Sequence, residues 1–293
     1  MIDRSPARKA FRVANGAFFV LYAVLCLVPV VQVLAISLSS SSAVAAGKVL
    51  LLPVSTTLRS YSYILAKDAF WTAMQVSGIR VVLGVGVSML MTVLAAYPLS
   101  LPKEKFRARN LIVWLFLFAM LFSGGMIPTY MVVRYTGLIN SIWALVLPCA
   151  VQIFNIILMM NFFRNIPPDI SESAEIDGAG HWLILARIYI PLSLPSLATM
   201  VVFTMVFHWN SWFDGLIYMN ESAKYPMQTY LQAILVQPNP RLITKATAEL
   251  LRLISDRTVK SAQVFIAAIP VLVVYPFLQR YFVSGIMLGS VKE

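Results

Sequence analysis

Apolar runs dominate the chain, and six of them contain an uncharged window of 18 residues or more: about 14–38, 75–99, 110–131, 140–162, 189–212 and 261–283. A helix that crosses a bilayer core needs about 20 mostly apolar residues. The pattern therefore predicts an all-α integral membrane protein with six transmembrane helices. Short segments alternating between apolar and polar residues, which would mark a membrane barrel, do not occur. Glycine and proline recur inside the runs (Gly84, Gly86, Gly124, Gly125, Pro148, Pro195, Pro270, Pro276). Spanning helices tolerate them where neighbouring helices satisfy the freed backbone groups.

The polar positions between the runs set the orientation. Arg4, Arg8, Lys9 and Arg12 precede the first run, and Lys103, Lys105, Arg107 and Arg109 follow the second, whereas the short stretch between the third and fourth holds only Arg134. Short loops rich in Lys and Arg stay in the cytoplasm, so both termini are expected there. The boundaries that follow are a cytoplasmic tail 1–13, a first helix 14–38 and a periplasmic segment 39–74. A five-helix core 75–283 comes next, with an inner loop 165–188 and a periplasmic loop 213–260, then a cytoplasmic tail 284–293. Ala43-Val44-Ala45 resembles a signal-peptidase site, but the uncharged stretch before it is longer than the 7–15 residues of a cleavable signal. The first span is thus expected to be retained.

Composition agrees: 59% of the 293 residues are hydrophobic and 12% charged, against about 25% charged in soluble domains. The net charge of +11 is spread between the runs and marks topology, which excludes a nucleic-acid surface. In the two outer segments basic residues outnumber acidic ones, which favours an anionic ligand by steering. Cys26 and Cys149 lie in apolar runs, too isolated for a disulfide framework or a metal cluster.

The inner loop carries the most specific chemistry. Asp169, Glu172, Glu175 and Asp177 crowd a side otherwise biased to basic residues. The stretch reads as a short amphipathic helix after Pro167 and Pro168, with Ser171 as N-cap and Gly178 as breaker. A second helix then begins near Gly180 and runs through Pro191 and Pro195 into the fifth span. Such a loop suits a protein partner.

The string Glu172-Ser173-Ala174-Glu175-Ile176-Asp177-Gly178-Ala179, followed by Pro191-Leu-Ser-Leu-Pro195, resembles the "EAA" loop of ABC importer permeases, with Ser173 in place of the first alanine. The resemblance implies the type I ABC importer permease fold: six transmembrane helices with a cytoplasmic coupling helix, in the bacterial inner membrane. It implies as partners a homologous second permease in a heterodimer, two ATPase subunits, a periplasmic sugar-binding protein and membrane lipid. Glu172 would contact an ATPase arginine, or else serve as a carboxylate favoured by the helix dipole. Asp177 would contact the ATPase or cap the second helix. Gly289 and Lys292 resemble a tail that reaches the ATPases, with Glu293 where a final glycine is common. ATP and Mg would sit on the partner ATPase; no cofactor is expected on this chain, which has no Gly-x-x-x-x-Gly-Lys-Ser/Thr run and no expected enzymatic role.

Within the family the chain is similar to maltose-permease-type second subunits, in the branch for complex or acidic oligosaccharides such as alginate. Arg4-Ser-Pro-Ala-Arg8-Lys9, His208-Trp209-Asn210-Ser-Trp212-Phe-Asp214 and the stretch from Tyr275 to Lys292 carry that similarity. Trp209, Asn210 and Trp212 suit stacking on sugar faces and bonding hydroxyls, though aromatics at a span end also anchor at the interface. Arg80 lies inside an apolar run, where a charge is by default functional, yet it is near enough to the outer end to snorkel. The rival reading, a secondary transporter or channel subunit, calls for carboxylates at mid-membrane, and none falls in the middle of any run.

Overall fold

The computed structural model describes residues 6–236 and 256–287. Among them every regular element is a helix. They are α1 (Pro6–Ser37), α2 (Ser41–Ala45), α3 (Arg59–Leu65), α4 (Asp68–Ser100), α5 (Arg109–Leu121), α6 (Met126–Tyr135), α7 (Trp143–Val146) and α8 (Ile153–Arg164). After these come α9 (Pro168–Ile176), α10 (His181–Ile184), α11 (Ile190–Leu192), α12 (Leu194–Asn210), α13 (Phe213–Tyr218), α14 (Met227–Val236) and α15 (Asp256–Met287).

Two helices are long and apolar enough to cross a membrane unbroken, Lys9–Ser37 and Asp68–Ser100. Three further expected spans are each split. Arg109–Leu121 and Met126–Tyr135 bend by 112°, Trp143–Cys149 and Ile153–Arg164 by 51°, and His181–Leu192 and Leu194–Asn210 by 81°. The breakers that the apolar pattern places inside spans are the cause. Gly125 sits at φ +85° ahead of α6, a left-handed conformation open mainly to glycine. Pro148 lies in a 3₁₀ turn after α7. Pro191 follows a π turn at Leu185–Tyr189, where the widened turn gives the ring room against the carbonyl four residues back.

The chain divides into two compact units, one of residues 1–68 and 233–269, the other of 69–232 and 270–293. In the first, the end of α1 meets α2 in a small cluster of Ala35, Ile36, Ala43, Val44 and Val49. Ser39 ties it down by donating to the Ala35 carbonyl at 2.6 Å and accepting from the Val54 N–H at 3.0 Å. The body of α1 stays exposed, with Phe18, Tyr22 and Leu25 among its uncovered side chains.

The second unit is built on α4. Ala73, Ser77, Arg80, Gly84, Ser88, Thr92 and Ala96 are buried at intervals of three or four residues, which puts them on one face. Small residues on such a stripe let helices approach closely. At Gly84 a Cβ would lie 2.5 Å from the His208 ring of α12. Near the C-terminal end of α4, Tyr97 and Leu99 join Ile156, Met159, Met160 and Phe163 of α8 and Ile184, Leu185 and Tyr189 in one apolar core.

Candidate functional site

Loop 165–188 is anchored on that core. Pro168 takes the first position of α9 with Pro167 as the capping residue, since a fixed φ and a missing N–H suit a helix start. The helix thus begins earlier than a Ser171 cap would allow. Ser171 is instead buried and donates to the Pro168 carbonyl at 2.9 Å. At the other end Gly178 adopts φ +82°. Its N–H donates to the Glu175 carbonyl at 3.0 Å, and the Ala179 N–H donates to the Ala174 carbonyl at 2.9 Å. This is the paired closure of a Schellman motif, and Ala174 and Ala179 both rest against the apolar core. The Asp-Gly-Ala string is therefore a helix stop. Asp177 is the C-cap of α9, and α10 starts from Gly180 with no side-chain cap, so Asp177 does not cap the second helix.

The two faces of α9 differ in chemistry. Glu175 is half-buried and takes the Lys105 ammonium on both oxygens at 2.7 Å, joining the loop to the basic stretch after α4. The Tyr97 hydroxyl and His181 Nδ1 lie 3.2 Å apart, and the Tyr189 ring packs edge-on against Tyr97 and Phe163. On the opposite face Asp169, Glu172, Ser173 and Asp177 are exposed, and the Glu172 carboxylate forms no ion pair with any described residue. Between them Ile176 is 86% exposed, and Trp182 beyond the turn is 74% exposed. These are the most exposed large apolar side chains of the loop, ahead of Ile170 and Leu183, and the sequence pattern alone did not single them out. Pro191 and Pro195 flank the 81° bend at Ser193, whose N–H reaches the Tyr189 carbonyl at 3.1 Å.

The second group of predicted residues gathers at the far end of α12. Arg80 does not snorkel. It is fully buried, donates from Nη1 to the Ser211 carbonyl and Asp214 Oδ1, each at 3.2 Å, and is ion-paired through Nη2 to Asp214 Oδ2. Burial of a lone charge is costly, so the partner carboxylate is what permits it. Trp209 is also buried, whereas Asn210 and Trp212 are exposed. Gly289 and Lys292 lie outside the described residues.

Asn140 secures a further corner. It adopts φ +63°, which asparagine tolerates better than most residues. Its N–H donates to the Tyr218 carbonyl at 2.8 Å, its amide nitrogen to Glu221 at 2.6 Å, and its side-chain oxygen accepts from the Asn220 N–H at 3.2 Å. The Asn140 hydrogen bond, then Lys224, hold the Glu221 carboxyl below its ordinary range. No group of three or more His, Cys, Asp or Glu suited to a metal occurs among the described residues.

No protein-family model matches the chain. Individual proteins do. The chain is 40% identical over 275 residues to the polygalacturonan/rhamnogalacturonan transport system permease protein YtcP of Bacillus subtilis (strain 168), covering 94% of this chain and 96% of that protein. To Protein LplC of the same organism it is 37% identical over 293 residues, covering 99% and 98%. Among solved structures, it matches a chain of a bacterial ABC transporter involved in the import of the acidic polysaccharide alginate. The TM-score there is 0.88 at 33% identity, covering 96% of this chain and 100% of that one.

Proposed function

The chain belongs to the permeases of sugar-importing ABC transporters, and from that premise we propose that it moves oligosaccharides rich in carboxylated sugars across the bacterial inner membrane while separate ATPase subunits supply the energy. It works as half of a heterodimer with a second permease and receives cargo from a periplasmic binding protein. In this reading α1, α4, the pairs α5–α6 and α7–α8, the α10–α12 run and α15 are the six crossings, both termini are cytoplasmic, and loop 165–188 is the coupling element. ATP and Mg stay on the partner.

The observation that carries the reading is the two-sided build of α9. One face packs on the α4 and α8 core through Ala174, with Ala179 just past the stop, and is tied to the stretch after α4 by the Glu175–Lys105 pair. The other offers Glu172, Ser173 and Ile176 to a partner. A rigid element gripped on both sides transmits displacement, so closure of an ATPase dimer rocks the spans between inward- and outward-facing states. On the opposite side, Asn210 and Trp212 are the accessible groups for a sugar hydroxyl and a sugar face. Carboxylated cargo is favoured by the basic balance of the outer segments and by two similar proteins, one a polygalacturonan/rhamnogalacturonan permease and the other from an alginate importer.

Glu172→Lys tests the coupling assignment. The variant should lose co-purification with the ATPase subunits, while Ser173→Ala retains it; an undiminished Glu172→Lys complex would remove Glu172 from the interface. Thermal-shift screening of the cognate binding protein with uronate and neutral oligosaccharides tests the cargo. Stabilisation by neutral sugars alone would exclude the acidic class.

A further inference from the structure

We propose that Arg80 and Asp214 form a positioning pair that fastens the 208–215 elbow to α4, so that Arg80 shapes the sugar path through Asp214 without touching cargo. This goes beyond the import reading and rests on it for the identity of the path. The fork is nearly complete: both Arg80 terminal nitrogens face Asp214, and one also holds the Ser211 carbonyl. Asp214 Oδ1 accepts in addition from the Gly215 N–H at 2.9 Å, which orients the carboxylate within its own turn.

Two neighbouring ties converge on the same face of α4, and a third joins the elbow to α14. One turn before Arg80, Ser77 Oγ accepts from the Met227 N–H at 2.7 Å. One turn after it, Gly84 leaves the space that the His208 ring fills. Thr229 then closes the group by donating to the Trp212 carbonyl at 2.7 Å, and it lies so near Gly215 that a Cβ there would fall 2.1 Å from its Oγ1. Residues 208, 211, 214 and 227 are thus all referred to one stripe of α4.

This arrangement has a chemical consequence. The guanidinium is neutralised inside the protein, so a carboxylated sugar at the elbow meets the Asn210 amide and the Trp212 ring instead of a bare cation. Tight charge pairing at that point would hold an anionic cargo back; an amide and an indole let it pass. Loss of the pair should therefore slow passage while leaving the cargo's apparent affinity almost alone.

The test uses the assembled importer in proteoliposomes, carrying Arg80→Gln, Asp214→Asn or the swap Arg80→Asp/Asp214→Arg. Each single variant should lower maximal uptake about tenfold or more, with half-saturating cargo changed by less than about twofold. The swap should recover a substantial part of the maximal rate. Raised half-saturation at an intact maximal rate would overturn the proposal and place Arg80 on the cargo; a swap no better than the singles would also overturn it. Should the singles fail to assemble, Arg80→Lys, which keeps the charge but not the fork, takes their place with the same expectations. Hydrogen exchange of segment 211–229 separates this proposal from the import reading. It should quicken about tenfold in the singles and revert in the swap whether or not the vesicles move sugar, and unchanged exchange would refute the pair's positioning role.

Discussion

Gly178→Ala probes the stop of α9 with little else disturbed. Gly178 holds φ +82°, and nothing lies within 4 Å of where a Cβ would stand, so the substitution strains the backbone without a clash. The left-handed conformation costs a non-glycine residue about 1–2 kcal/mol. Alanine recovers about 0.4–1 kcal/mol by narrowing the unfolded ensemble. The net loss of about 1 kcal/mol is about a fivefold shift toward the open cap. The amides of Gly178 and Ala179, which close the motif, should then exchange with deuterium about fivefold faster. If α9 transmits force, ATP-driven uptake by the assembled importer should fall in parallel. Gly180 is the internal control, because it has φ −75° and equally open space; Gly180→Ala should change neither reading. Gly178→Asn should lose less than Gly178→Ala, since asparagine tolerates this region. Equal damage from Gly180→Ala, or no damage from Gly178→Ala, would refute the reasoning.

Three further outcomes follow from the geometry. Gly215→Ala forces a Cβ against Thr229 Oγ1 and should cost about 1–3 kcal/mol by overpacking; Gly86→Ala, inside α4 with nothing within 4 Å, should hold or slightly raise the thermal midpoint of the purified complex. A double-mutant cycle on Lys105 and Glu175, both about one-third exposed, should give a coupling of about 0.2–1 kcal/mol that shrinks with salt; a larger, salt-insensitive value would contradict a solvent-screened pair. Glu221 titrates below its ordinary range because of Asn140 and Lys224, so its contribution is present above the unfolded carboxyl value and is lost as pH falls through the lowered one. Asn140→Ala should therefore flatten the acid limb of the midpoint-versus-pH curve, and an unaltered limb would show that this carboxyl contributes nothing.

Much of the fold was legible because a bilayer imposes one demand, length without charge, and α1 and α4 satisfy it as read. The bends were harder. Gly124, Gly125, Pro148, Pro191 and Pro195 were visible as breakers, but whether a breaker is absorbed or divides a span depends on which neighbours satisfy the freed backbone groups. Loop 165–188 was legible as a helix, a glycine stop and a second helix, because caps and stops are local. Its start was not: Pro167 and Pro168 read as the end of the preceding stretch and Ser171 as the cap, whereas Pro168 itself takes the first helical position. Arg80 was conspicuous, but its partner lies 134 residues away. Nothing in the local pattern joins the two, and the same holds for Lys105 and Glu175, 70 residues apart.

Dependence of uptake on ATP hydrolysis bears most directly on the central claim. The chain, its partner permease and ATPases would be reconstituted with loaded binding protein on one side and nucleotide on the other. Labelled oligouronate should accumulate with ATP and stop when ATP is replaced by a non-hydrolysable analogue. Accumulation that continues with the analogue, driven by a sugar or ion gradient alone, would contradict the account and favour a secondary transporter.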